Sequence, residues 1–424
     1  MGTERQVKER GILSSALALS VMTSVMAESK NVAVTEAGTL QSKFTTEELT
    51  TVTELVISGP INATDLSFVN SELTALETLD LQQTNIVEET KTVDEVTTTY
   101  PENEMPSNIF DHNASIKTIK FPSGMTSIGD YAFQYSAIQT VDFSTCPQLQ
   151  LIREFAFYCT NYLNGINLSG LKNLEIIEEN AFNTNGQKLS EINVNEVTID
   201  LSGCSSLKTI SDYAFTNTKA ASVKINFTGC TALSYIGNRA FNNAKVQILD
   251  LSSCSSLETL TGYSFNLCTK ITDIILPINL KMIEAKTFPN ASSSLVSVKS
   301  LATVPPTLVS GGFSATGVTK ATLSVPVGAK AAYEADEEWA KFNEIVEDAS
   351  LSVESAYAES LKVSAQNNII KIYNIENGAT INIYNMQGAL VFTQIATDNH
   401  AEISLPVSGM YIVKCGKSIA KVML

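Results

Sequence analysis

Asp142, Asn167, Asp200, Asn226 and Asp250 recur along the chain at intervals of 25, 33, 26 and 24 residues, each between two apolar neighbours. In an apolar–x–apolar triplet of extended chain the flanking side chains turn into a core and the middle one turns out. A column of exposed carboxylates and amides can accept hydrogen bonds from hydroxyls or pair with lysine and arginine. Identical charges stacked ~5 Å apart would repel. Alternating Asp with Asn spaces the carboxylates roughly 10 Å apart, about one Debye length at 0.1 M salt. These five residues are the candidate ligand-binding set, a polar face for a basic or hydroxyl-rich ligand. The plainer alternative is a solubilising surface. Lys120 precedes them and Ile275 follows them in the same series. The residues two positions earlier form a neighbouring outward row: Thr118, Thr140, Gly165, Thr198, Lys224, Ile248 and Asp273.

Little else suggests chemistry. The only two histidines, His112 and His400, have no ligand pattern around them, so no metal site is expected and no cofactor is implied. There is no GxSxG, no P-loop and no GxGxxG in a βαβ setting. No catalytic residues can be assembled, and the chain reads as non-enzymatic. A net charge of −16 argues against nucleic acid or an anionic membrane as partner. Of seven cysteines, Cys204, Cys230 and Cys254 fall at equivalent places in successive repeats, about 4.8 Å apart if the repeats stack as strands. That separation would permit a disulfide, but their side chains should point inward in parallel. A ladder of buried thiols is expected instead. Cys159 and Cys268, four repeats apart and so roughly 20 Å distant, cannot bridge each other.

The element that positions the column is a repeat. In Val197–Phe215 the apolar residues are Ile199, Leu201, Cys204, Leu207, Ile210, Ala214 and Phe215. Their spacing begins at two, widens to three and closes on a small-plus-aromatic pair, which suits neither a lone strand nor a lone helix. It suits one coil of a solenoid: strand, corner, short extended leg, helical turn. Closing phenylalanines at 110, 133, 157, 182, 215, 241, 265 and 288 set a period of about 24, with one coil longer by roughly eight residues. In that longer coil Leu189-x-x-Ile192-x-Val194 and Ile199-x-Leu201 compete for the strand register. Burying seven side chains yields roughly 10–20 kcal/mol, whereas ordering one coil costs roughly 25–50, so coils must stack. Pro122 and Pro277 mark two shortened corners.

The segments SIGDYAF (127–133), TISDYAF (209–215) and YIGNRAF (235–241), each after an I-x-L-type strand, resemble the leucine-rich repeats of BspA-like bacterial surface proteins. The likeness covers about residues 50–347. It implies a right-handed solenoid with a parallel sheet on one face, used at cell surfaces for adhesion or ligand capture.

Residues 1–27 have the make-up of a secretory signal peptide. Arg5, Lys8 and Arg10 precede an apolar run from Gly11 to Ser24 and an A-x-A-like end at Ala27. That run is too short to span a bilayer, and no later segment resembles a transmembrane helix. Residues 28–112 should form an N-terminal cap and degenerate repeats, with a capping-box helix start in TTEELTTV (45–52). The stretch 88–106, with six acidic residues and several Thr, should be a solvated loop that interrupts the array, or alternatively a recognition loop. Regular repeats are expected over 113–300, decaying after Phe288 and broken by VPPTL (304–308). A cap over 301–349 should offer one last strand and a short helix ending near Trp339.

From residue 350 the pattern changes to short alternating strands with Gly and Asn turns, as in a small all-β, Ig-like sandwich. INIYNMQGALV, LPVSGMYIVKCG and the terminal KVML resemble the C-terminal sorting domain of type IX secretion cargo. That likeness picks out Gly388, Gly409, Tyr411, Lys414 and Lys421, and implies the type IX machinery of a Gram-negative bacterium as a partner. The expected product is exported across the inner membrane and displayed at the cell surface or released. There it would bind an extracellular protein or glycan. A structural coat or spacer is the alternative, and a scaffolded hydrolase or inhibitor a more remote one.

Overall fold

The structure is a computed structural model that describes residues 28–160, 163, 165–184, 196–216, 222–288, 294–351, 361–366, 369–375, 378–398, 400–405, 409–416 and 418–424. Residues 1–27, expected to be a signal peptide, and Leu189, Ile192 and Val194 lie outside the described residues.

Repetition of the apolar triplet makes one strand per coil, and the strands stack in parallel. Glu28–Ala33, Val52–Ile61, Thr78–Ile86, Thr118–Lys120, Thr140–Asp142, Ile166–Asn167, Glu196–Asp200 and Ser222–Asn226 form an eight-stranded sheet in chain order. Ile248–Asp250, Asp273–Leu276, Ser297–Ser300, Thr322–Val325 and Glu344–Glu347 continue it as a five-stranded sheet. In the longer coil Ile166 pairs with Ile199 and Asn167 with Asp200, so Ile199-x-Leu201 provides the strand.

The second extended leg of each coil also pairs with its neighbours. Glu104–Met105 through Tyr235–Ile236 form a six-stranded parallel sheet, and Thr259–Leu260 through Thr307–Leu308 one of three strands. The expectation of a sheet on one face is therefore corrected to sheets on two. The closing segment is a turn rather than a helical turn. Tyr131, Phe155, Asn180, Tyr213, Arg239, Tyr263 and Lys286, each just before the small-plus-aromatic pair, have φ between 54° and 64°. That left-handed conformation ends any helix. Backbone bonds here run between coils instead, as from Phe133 N to Ala156 O (2.7 Å) and from Phe215 N to Ala240 O (2.7 Å).

The core lies between these three walls. The closing phenylalanines stack along it from Phe110 to Phe288 with ring centroids 5.0–5.5 Å apart. The ladder does not decay at Phe288. Phe313 stacks on it at 4.9 Å, and Thr307–Leu308 pairs with Met282–Ile283 directly after the two prolines. Pro305 and Pro306 occupy the approach to that leg, where no ladder donor is needed. The cap adds two strands rather than one, because Glu344–Glu347 pairs with Thr322–Val325. Tyr333 and Trp339 close the core. Tyr333 Oη lies 2.7 Å from Ser300 Oγ, and Trp339 Nε1 donates to Pro306 O at 2.8 Å.

Thr45 and Glu48 make the reciprocal capping contacts expected at 45–52. The first coils also contain a helix, Ala63–Glu72, capped through Asn62 and Asp65, which the sequence reading missed. The stretch 88–106 is corrected from a loop to a hairpin. Glu89–Val93 pairs antiparallel with Val96–Tyr100 around Asp94 and Glu95, both at positive φ. Alternating threonines favour extended chain, and Thr90–Thr99 and Thr92–Thr97 hydroxyls pair across it at 3.1 and 2.9 Å. Buried Glu104 then returns the chain to the second sheet, accepting from Ser127 Oγ and pairing with Arg153 at 3.2 Å.

The C-terminal region has its own apolar core, including Ile370, Ile372, Ile381, Ile383 and Val413. Seven antiparallel strands form two sheets: Lys362–Gln366, Ile369–Tyr373 and His400–Ser404 in one, and Leu390–Ile395, Thr380–Asn385, Met410–Cys415 and Ser418–Met423 in the other.

Candidate functional site

Parallel pairing fixes the register of the outward column. Lys120 lies beside Asp142, Asp142 beside Asn167, Asn167 beside Asp200, and Asp200 beside Asn226. The column starts earlier than the sequence suggested, since Asp80 pairs with Lys120. The Asp80 carboxylate, 2.9 Å from the ammonium, raises the pKa of Lys120. Asp250 belongs to the five-stranded sheet, where it pairs with Ile275.

Each column side chain also builds the corner that follows it. Oδ1 of Asp142, Asn167, Asp200, Asn226 and Asp250 accepts the N–H two residues on, from Ser144 (2.9 Å), Ser169 (3.1 Å), Ser202 (3.0 Å), Thr228 (3.1 Å) and Ser252 (2.9 Å). This Asx turn is open to Asp and Asn alike, which accounts for the restriction of these five positions to the two types. The bond uses one oxygen of each group. The remaining carboxylate oxygen or amide NH2 makes no hydrogen bond to another described residue.

In the neighbouring row, Thr198 pairs with Lys224 and Ile248 with Asp273. Lys224 Nζ is 2.9 Å from Glu196. The two blocks of the main sheet part between Asn226 and Ile248, leaving a cavity of about 510 Å³ lined by Lys224, Asn226, Thr228, Ile248, Asp250 and Ser252 among others. The sequence reading placed Asn226 and Asp250 in one column but did not find this cleft. One sign was available: Ser253 stands where Gly170, Gly203 and Gly229 have positive φ in earlier corners, and its own φ is not positive.

Behind the column, thiols fill the corners. Cys204 Sγ donates to Leu168 O at 3.0 Å and Cys230 Sγ to Leu201 O at 3.1 Å. Burial pushes the thiols of Cys204 and Cys254 up to about 12 and raises Cys230 as well. On the closing ridge Arg239 lies over Tyr213 (5.7 Å) and Tyr263 (5.2 Å), and Lys286 over Tyr263 (5.3 Å), a cation–aromatic row not foreseen from sequence. Among the described residues no three His, Cys, Asp or Glu side chains are grouped to hold a metal, and no helix is long and apolar enough to cross a membrane.

The residues picked out at the C-terminus lie in the four-stranded antiparallel sheet. Gly388, at φ 81°, closes the turn after Asn385. Gly409 exchanges backbone bonds with Leu424 (3.1 and 2.9 Å). Tyr411 is buried, while Lys414 and Lys421 are exposed on paired strands.

The family profile of the BspA type leucine-rich repeat region, six copies, matches residues 85–204 and 195–307, over half of the chain. No curated protein matches. Among solved structures, a leucine-rich repeat protein from Bacteroides ovatus is 16% identical, over 64% of this chain and 60% of that one, with a TM-score of 0.31. A leucine-rich cell surface protein from Faecalibacterium prausnitzii is 14% identical, over 58% and 79%, with a TM-score of 0.24. The pneumococcal vaccine antigen PcpA is 14% identical, over 69% and 80%, with a TM-score of 0.20. The chain thus spans about 60% of the length of the first.

Proposed function

The chain belongs to the BspA-type leucine-rich repeat family, and on that footing we propose that it is displayed at the cell surface and binds an extracellular protein or glycan without catalysis. The observation that carries this reading is the Asp/Asn column. Its side chains are held rigid by the corners they build, yet each keeps one polar group without a hydrogen bond to another described residue. A rigid array of this kind loses little entropy on binding, because its rotamers are already fixed. Residues 1–27 serve as the export signal in this reading. Residues 350–424 serve as a type IX sorting domain in a Gram-negative bacterium in this reading, which rests on the motif residues Gly388, Gly409, Tyr411, Lys414 and Lys421. A coat or spacer role uses the same fold and leaves the column as a solvated surface.

The test is the triple substitution Asp142→Asn, Asp200→Asn, Asp250→Asn in the full chain, assayed against immobilised matrix proteins and a glycan array. Asn retains the Oδ1 acceptor of each corner, so the melting temperature should hardly change. Binding to a cationic protein should weaken roughly three- to tenfold and lose part of its salt dependence. A neutral glycan should respond less. Unchanged binding to every confirmed partner would remove the column from the site, and no partner at all would favour the spacer.

A further inference from the structure

We propose that the cleft between Ser222–Asn226 and Ile248–Asp250 is a subsite for one uncharged sugar ring. This rests on the reading of the sheet face as a binding surface, and it can fail by itself.

The two coils that flank the cleft are joined continuously on one wall and only sparsely on the others, where Asn238 Nδ2 donates to Gly262 O (3.0 Å) and Ser255 Oγ to Thr231 O (3.3 Å). Along the closing turns Phe241 N donates to Ser264 O (2.9 Å), Asn243 N donates to Asn266 O (2.7 Å), and the rings of Phe241 and Phe265 stack at 5.5 Å. On the main sheet a single bridge, Val223 with Val246, links the coils, and the second sheet also divides, between Tyr235–Ile236 and Thr259–Leu260. One coil earlier, Leu201 N donates to Asn226 O (2.9 Å) and Gly203 N to Thr228 O (2.7 Å). Neither Phe227 nor Gly229 donates such a bond to the following coil. Donors on an unpaired edge lie in the plane of the sheet and face the gap.

The cleft therefore mixes donors and acceptors at close quarters. Asn226 has its amide NH2 available, because Oδ1 holds the corner. Asp250 likewise has Oδ2 available. A sugar hydroxyl both donates and accepts, so a ring with several of them can serve both groups and the open N–H groups together. Ile248, 58% exposed, offers an apolar wall for the C–H face of the ring. The volume of about 510 Å³ falls within the range typical of small-molecule sites, roughly 300–1,000 Å³.

Other ligands fit less well. A phosphate or sulfate would face the Asp250 carboxylate, and Lys224, the cation at hand, is already paired with Glu196. An arginine or lysine side chain could meet Asp250 but, having no acceptor, would leave the Asn226 NH2 and the open N–H groups unserved. An extended peptide laid between the strands needs them roughly 9–10 Å apart, and the Val223–Val246 bridge holds them as direct neighbours.

The experiment is ligand-observed saturation-transfer NMR on the full chain, with the methyl glycosides of mannose, galactose, glucose and N-acetylglucosamine as probes. At least one should bind saturably, with a dissociation constant on the order of 1–10 mM. Ser253→Tyr, which fills the cleft, should abolish the signal. Asn226→Asp, which keeps the corner but removes the NH2 donor, should weaken it at least about fivefold. Lys330→Gln, in the cap, should leave it unchanged. If Ser253→Tyr fails to fold, Asn226→Asp decides. No saturable binding by any of the four up to about 50 mM overturns the proposal, and so does wild-type affinity in Asn226→Asp. Loss of the sugar subsite alone, with partner binding still sensitive to the triple Asp substitution, leaves the surface-binding reading standing.

Discussion

Cys204, Cys230 and Cys254 are the clearest case in which spacing located a residue while its bonding stayed hidden. Equivalent positions in successive coils announced a buried ladder, and the structure places all three in the core. Nothing in the sequence showed that the thiols of Cys204 and Cys230 donate to carbonyls of the preceding coil, since that depends on the corner geometry. Burial puts the folded pKa of Cys204, Cys254 and Cys268 at about 12, above the roughly 8.5 of an unfolded chain. Ionisation above that lower value therefore favours the unfolded state. The stabilisation is complete below about pH 8.5 and is lost as pH climbs toward 12, by up to roughly 1.4 kcal/mol per pH unit for each thiol. Urea unfolding between pH 8 and 10.5 should show falling stability, and Cys204→Ala with Cys254→Ala should flatten the slope. In the folded state iodoacetamide should leave these thiols unmodified at pH 8. A disulfide between any two, found in a non-reducing peptide map, would contradict this arrangement. The Asp/Asn column is a similar case: a period of two showed which way the residues point, but the bond from Oδ1 to the N–H two residues on appears only once the corner is seen.

At the scale of the element, the coil was legible wherever apolar spacing repeats and obscure where the walls are made by backbone. The strand and the stacked phenylalanines follow from side-chain pattern alone. The closing wall does not. Apart from Asn180, its left-handed residues are Tyr, Phe, Arg and Lys, types that carry no strong turn signal, so a helical turn was expected there. Phe313 was overlooked because Gly311 and Gly312 replace the usual small residue before it. The hairpin at 89–100 was overlooked because threonine-rich acidic sequence looks solvated. It is solvated, with Val93 and Val96 about two-thirds exposed at its tip, and it is also paired. Replacing residues 89–100 by a short Gly-Ser link should lower the melting temperature of the solenoid by no more than about 2 °C, because few apolar contacts are lost. Partner binding through the sheet face should persist, and its loss would move the recognition site to the hairpin.

For the whole molecule, two separate apolar cores divide the described chain, one from Val32 to Ile345 and one from Leu361 to Val422. The sequence anticipated this change of character near residue 350 because the period moves from about 24 to short alternating strands. The parting of the sheet beyond Asn226 left only one sign there, Ser253 in place of the corner glycine, because it depends on how two successive corners meet. If the C-terminal region is a sorting domain, the surface form should begin near Glu28 and lack most or all of the chain after about residue 350. Intact-mass analysis of surface-released protein measures this directly. A surface form that still ends at Leu424 would count against the sorting role and leave the solenoid assignment untouched.

The parted sheet has a mechanical meaning. If the proposed surface binding holds, a pull on the bound ligand loads the solenoid in tension, and the load crosses from coil to coil through the rungs between strands. Between Asn226 and Ile248 the main sheet has one bridge where the strand pairs on either side have five and three, so under such a load this seam is, with the single pair Asp142–Asn167, among the weakest. Unwinding the 24 residues from Phe241 to Phe265 would pay out roughly 80 Å of chain. The ring stacks on either side, Phe215–Phe241 and Phe265–Phe288, would keep each half in register for recoiling when the pull stops. The same seam that offers a cleft at rest would be, under such a load, built-in slack.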